Sequence, residues 1–227
     1  MQLNKLKQYI ADYSNWLKSP KAEQRLHYWE TQAHWQQNWD NETTDFSKML
    51  DQCLQNSTTR RLWKREAYEP KRMLLAFAEM DNHFVFSMFQ DLFNEDKDAH
   101  SRADRFVFYC DEMLQQYRRQ HPGRIDNSHY HDDGYEMISL YFSFHYPERY
   151  APYHAERLRA LLQHLGAPNI PLAGDFPRHI KVMRTLQNFI NKDEELLARH
   201  RQRLRAEHYQ GESLLLAFDF ACFVVER

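Results

Sequence analysis

The densest group of side chains able to do chemistry is His129-Tyr130-His131-Asp132-Asp133, with Asp126 before it and Glu136 after it. Imidazole nitrogens and carboxylates together are ligands for zinc, iron or manganese, and histidines one residue apart converge where the backbone is extended. His129, His131, Asp132 and Asp133 are therefore the residues that could hold a metal and support hydrolysis. The group lacks the HExxH spacing that puts two histidines on one helical face, and no second histidine-rich segment accompanies it. The simpler reading has Asp132 or Asp133 capping the helix that follows while the histidines hydrogen-bond across a loop. On that reading no metal and no other cofactor is expected.

A second catalytic pattern is the Arg-x4-His pair of HEPN-type ribonucleases, in which both side chains act on the RNA backbone. It occurs at Arg124/His129, Arg149/His154, Arg159/His164 and Arg203/His208. The HEPN pattern favours Asn, Asp or His directly after the arginine, and Ile125, Tyr150, Ala160 and Leu204 stand there instead. The chain contains no GxSxG elbow, no GxxxxGK[ST] phosphate loop and no GxGxxG fingerprint, so serine-hydrolase, NTPase and dinucleotide chemistries have no motif to rest on.

Binding chemistry is better organised. Arg60, Arg61, Lys64 and Arg65 fall at i, i+1, i+4 and i+5, one continuous cationic stripe on a helix, with Trp63 beside it and Lys71 and Arg72 shortly after. Such a stripe neutralises successive phosphates while an aromatic ring stacks or packs. The alternative is a solvated face paired with acids such as Glu66 and Glu69. A second basic segment, Arg199 to Arg205, alternates its charges around the helix, and a solvated face is the expectation for it.

These residues must be positioned by helices. Five glycines in 227 residues are about a third of the usual share, which argues against turn-dense β architectures and glycine-rich phosphate loops. The net charge of −2 provides no whole-molecule basic field, so affinity for nucleic acid has to come from a local patch. Cys53, Cys110 and Cys222 are odd in number and far apart, with no CxxC spacing, which suits a reducing cytoplasm better than a disulfide framework. The first twenty residues mix charge into an amphipathic pattern unlike a signal peptide. The most apolar stretch, Leu214 to Val225, contains Asp219 and is well short of the ~20 residues of a membrane helix. The expectation is neither secretion nor membrane insertion.

Leu3, Leu6, Ile10, Tyr13 and Leu17 recur at helical spacing, and helices are expected from Ala22 to Asn38 and again after the Thr43-Thr44-Asp45 cluster. Pro70 should open a long helix whose apolar face runs from Met73 to Leu92, and Ser101 with Asp104 resembles a capping box ahead of Phe106. His121-Pro122-Gly123 and the polar stretch to Gly134 form the main central break. Helices follow from Tyr135 to His145, from Tyr153 to Leu165 with Gly166 as C′ cap, and from Asp175 as N-cap with Pro177 in the first turn. Two more occupy Asp193 to Glu207 and Ser213 to Val225. The sum is an all-α multi-helix bundle of roughly nine or ten helices without significant sheet, a single helical domain over residues 1–227 whose subdomains, if it divides, meet near 119–134. The aromatic residues in helical register are expected in the core, with Trp29, Trp35 and Trp39 the ones whose polar context leaves exposure open.

Several stretches taken together, among them AHWQQNWDNETTDFSKMLDQCLQNSTTRRLWKRE, MFQDLFNEDKDAHSRADRFVFYCDEML and HYHDDGYEMISLYFSFHYPERYAPY, resemble the helical N-terminal region found ahead of the AAA+ motor in bacterial McrB-like restriction subunits. The likeness runs from about Tyr28 to Val225. In that family nucleotide hydrolysis and DNA cleavage reside in other domains or subunits, and the N-terminal regions are assigned target recognition. The resemblance implies a cytoplasmic recognition or adaptor module of a restriction or defence system, meeting nucleic acid or a partner protein, with an AAA+ motor domain or subunit as a possible neighbour and no membrane. The rival expectations are a metal-dependent or HEPN-like hydrolase centred on His129 to Asp133, and an oligomerisation scaffold that exposes Leu214 to Val225.

Overall fold

The computed structural model describes residues 1–58, 69–123 and 134–227, and among them the chain is all-helical, with no strand. Eleven α-helices are described: α1 (Leu3–Trp16), α2 (His27–Asn38), α3 (Phe46–Cys53), α4 (Pro70–Met80), α5 (Asn82–Leu92), α6 (Ala99–Gln120), α7 (Glu136–His145), α8 (Ala155–His164), α9 (Phe176–Ile190), α10 (Glu194–Arg203) and α11 (Leu215–Val225). No described helix is long and apolar enough to cross a membrane.

Aspartates start five of these eleven helices, because a carboxylate accepts from backbone N–H groups that have no partner inside the helix. Asp45 accepts from Lys48 N, Asp175 from Arg178 N and Asp193 from Leu196 N, each at 3.0 Å. Two expectations shift for the same reason. The long helix from Pro70 breaks at Asp81, which leaves helical geometry (φ −150°, ψ 86°) and caps α5 by accepting from Phe84 N at 2.8 Å. Helix α6 begins before Ser101, since Asp98 accepts from both the N–H and the hydroxyl of Ser101, at 2.9 and 2.6 Å. The expected helix from Ala22 likewise starts later, after a 3₁₀ turn over Pro20–Glu23.

The chain forms two compact units, one of residues 1–33 and 139–227, the other of residues 34–138. The N-terminal 33 residues therefore belong with the C-terminal part of the chain, and the stretch 124–133 lies outside the described residues. In the discontinuous unit α11 packs against α1, α8 and α9. Apart from Asp219, helix α11 is apolar on every face, so its stable place is the centre. Leu214 to Val224 are all buried there, and the exposed apolar patch that a scaffold reading requires at this helix is not formed.

In the continuous unit α4 packs on α3, and α5 packs on both α4 and α6. Its core is aromatic: Trp35 stacks on Trp39 with ring centroids 4.9 Å apart, and Phe46, Phe89 and Phe93 close around them. The polar context of the tryptophans does not expose them, because Trp29 and Trp35 are buried and Trp39 is half-buried.

The C-terminal end of α8 is a Schellman motif. Ala167 N donates to Leu162 O (2.9 Å) and Gly166 N to Gln163 O (3.0 Å), with Gly166 at φ +62°. A Cβ there would stand 2.8 Å from the Gln2 side chain. Gly166→Ala should lower stability by about 1–2 kcal/mol, the cost of a left-handed L-residue. A urea midpoint unchanged by the substitution would contradict this geometry.

Candidate functional site

Asp219 interrupts the most apolar segment of the chain, and a carboxylate placed in a core must find opposite charge or hydrogen-bond donors. It has both. Fully buried, Asp219 accepts from the Tyr13 hydroxyl at 2.7 Å, from Arg25 Nε at 2.5 Å and from Arg203 Nη2 at 2.7 Å. Arg25 reaches Glu226 with Nη1 at 2.7 Å, and Arg203 Nη1 donates to the Ala22 carbonyl at 2.7 Å. Each guanidinium also lies over an indole, Arg25 over Trp16 at 5.3 Å and Arg203 over Trp29 at 5.1 Å. Burial alone would raise the Asp219 pKa, but Arg203, Arg25 and the Tyr13 hydrogen bond outweigh it and hold the carboxyl below its ordinary value. The same burial, reinforced by Asp219, drives the Tyr13 phenol well above its ordinary value.

This network accounts for the second basic segment. Arg199 donates to the Ser14 carbonyl and hydroxyl, both at 2.7 Å, and pairs with Glu195. Arg203 belongs to Asp219, and Arg205 pairs with Glu23 at 2.8 Å. The expectation of a solvated face paired with acids holds for Arg205, whose pair with Glu23 is exposed, and is corrected for Arg199 and Arg203: helix α10 turns Arg203 and His200 into the core, since Asp219 is there to receive the charge.

Arg203 Nε donates to His200 Nδ1 at 3.1 Å. With Nδ1 occupied as acceptor, the neutral ring carries its proton on Nε2. Burial, then the positive charge of Arg203, pushes the His200 pKa down to about 3. His200 lines a cavity of about 360 Å³, bounded by α9, α10, the segment 210–214 and the start of α11. Leu197, His200 and Arg201 face it from α10 at i, i+3 and i+4, one helical stripe, and Leu204 from the residue that ends the helix.

Other reactive groups are held inert. Burial raises the thiols of Cys53 and Cys222 to about 12 and that of Cys110 well above its ordinary value, so none is a thiolate at neutral pH. Burial lowers His145 and His179 to about 4. The histidines of the three described Arg-x4-His pairs also take structural duties. His154 Nδ1 accepts from Arg157 N at 3.4 Å, His164 meets the Tyr9 hydroxyl at 3.3 Å, and His208 accepts from Arg205 N at 2.9 Å.

Arg60, Arg61, Trp63, Lys64 and Arg65 lie outside the described residues, as do Arg124, His129, His131, Asp132 and Asp133. Of the cations flanking the stripe, Lys71 pairs with Asp51 at 2.7 Å and Arg72 with Glu69 at 3.3 Å. Among the described residues no three His, Cys, Asp or Glu side chains converge as metal ligands would. Sequence reasoning missed Asp219, Arg25 and Tyr13 as a unit. The available signal was the lone carboxylate inside an apolar run.

Two outcomes follow from the buried charges. Asp219→Asn keeps the shape and removes the counter-charge of two arginines, and should destabilise the protein by about 3–5 kcal/mol in urea unfolding, whereas a solvated surface pair would lose under about 1 kcal/mol. His145, His179 and His200 titrate near 4, 4 and 3 when folded and near 6.5 when unfolded. Their contribution is complete above about pH 6.5 and disappears as pH falls toward 4, so unfolding near pH 5 should take up about three protons at these sites. A urea midpoint flat between pH 7 and pH 5 would contradict their burial. Comparison of the chain with family models, with curated proteins and with solved structures finds no match.

Proposed function

We propose that the chain is a non-catalytic recognition or adaptor module that binds nucleic acid or a partner protein through Arg60, Arg61, Lys64 and Arg65, with Trp63 beside them. The observation that carries this reading is the fate of the competing basic segment: Arg199 and Arg203 are committed to Ser14 and Asp219, Arg205 pairs with Glu23 at the surface, and Arg201 stands alone without a neighbouring unpaired arginine among the described residues. That leaves the stripe at 60–65 as the run of cations at the spacing that successive phosphates require. A second support is chemical. The described thiols are shifted up and the buried imidazoles down, away from the values a nucleophile or general base needs near neutral pH.

The resemblance to the helical N-terminal region of McrB-like restriction subunits supports the same role and adds its setting, a bacterial restriction or defence system in which an AAA+ motor domain or subunit supplies the energy. Three buried free cysteines suit the reducing cytoplasm of such a system.

Fluorescence anisotropy with a labelled DNA duplex tests the nucleic-acid form. With four phosphate contacts, affinity should fall about a hundredfold between 50 and 200 mM salt, and Arg61→Ala with Lys64→Ala should flatten that dependence. Binding indifferent to the double substitution, or none at low salt, overturns it and leaves the partner-protein form to be tested with an AAA+ subunit. Metal-dependent cleavage of the duplex, abolished by His129→Ala, would instead establish the hydrolase centred on His129 to Asp133.

A further inference from the structure

The cavity beside His200 carries chemistry of its own. Its hydrogen-bonding groups are oriented by the protein. Gln187 Oε1 accepts from the Ala217 N–H at 3.2 Å, and Gln187 Nε2 donates to Asn191 Oδ1 at 2.8 Å. The chain of amides thus ends with the Asn191 NH₂ group, a donor, at the cavity wall. His200 is oriented the same way, since Arg203 occupies its Nδ1 and leaves Nε2–H as the donor. Between them Arg201 makes no ion pair with any described residue. One wall therefore offers a guanidinium and two neutral donors, a combination suited to a carboxylate.

The opposite chemistry is supplied by the loops. Glu148 and Glu212 both line the cavity, and the Leu214 N–H···O Pro147 hydrogen bond, 2.9 Å long, holds their two segments together. The loop carrying Glu212 is pinned again where Tyr209 N donates to Trp29 O at 3.0 Å, and where Gln210 Nε2 donates to the Arg205 and His208 carbonyls. Leu197 and Leu204 complete an apolar side. At about 360 Å³ the space lies at the small end of the roughly 300–1,000 Å³ typical of ligand pockets.

We propose that this cavity binds a small zwitterion of the α-amino-acid class, its carboxylate held by Arg201, Asn191 and His200, its ammonium by Glu148 and Glu212, and an apolar side chain against Leu197 and Leu204. Neither a plain anion nor a plain cation satisfies the site, because each leaves one set of charges unanswered. Isothermal titration of the full chain with L-leucine, and with its carboxylate-free and amine-free analogues isopentylamine and 4-methylpentanoate, tests this directly. L-leucine should bind saturably at one per chain, and both of its analogues should bind at least about tenfold more weakly. Arg201→Ala should abolish binding, and Glu148→Gln should weaken the amino acid while leaving 4-methylpentanoate unchanged. Both positions are exposed, so both variants should fold, and circular dichroism checks that they do. No saturable heat from leucine up to about 10 mM, an analogue binding as well as leucine, or binding indifferent to Arg201→Ala overturns the proposal.

Discussion

A buried carboxylate with nowhere to release its charge organises the discontinuous unit. Asp219 is surrounded by Tyr13, Arg25 and Arg203, which come from α1, from the turn before α2 and from α10. Removing one member leaves an uncompensated charge in a low-dielectric core, which is far more costly than never having had the pair. Only an arrangement that brings all four residues together satisfies the site, so residues 1–33 must join the C-terminal helices across nearly two hundred positions of sequence. The two indoles that lie against the guanidiniums, Trp16 and Trp29, are drawn into the same place. Apolar packing of α11 supplies bulk adhesion, and the charge network supplies the selection of one geometry.

The network also determines which polar groups remain for binding. Arg203 is fully engaged by Asp219, Ala22 and His200, and by holding His200 Nδ1 it turns a titratable ring into a neutral donor of known direction. Arg201, two residues from Arg203 on the same helix, lines the cavity. Two arginines two positions apart on one helix thus divide between the core and the cavity according to which side faces the carboxylate. The continuous unit is built differently, around stacked and edge-on rings of Trp35, Trp39, Phe46, Phe89 and Phe93, where shape and dispersion hold the core.

Local order was legible where local chemistry decides it. Asp45, Asp175 and Asp193 cap helices because the N–H groups they satisfy lie three residues away, and Gly166 terminates α8 because it alone adopts a left-handed conformation without strain. Where two residues competed for one role, spacing alone misled. Asp98 outranks Ser101 as the cap of α6, and Asp81 divides a continuous apolar stripe into two helices. The cationic face at Arg60 to Arg65 and the His129 to Asp133 group were legible as patterns, and both lie outside the described residues.

By itself the sequence determined that the chain is helical, where most helices begin and end, and which apolar faces must be covered, because helical period, caps and glycine content act within a few residues. Tertiary structure alone decided that Asp219 is the partner of Arg25 and Arg203, that α10 turns half of its basic charges inward, and that Asn191, His200 and Arg201 share a cavity with Glu148 and Glu212. Those relations join residues tens to nearly two hundred positions apart. They depend on which faces come together when the chain closes, and no local preference encodes that.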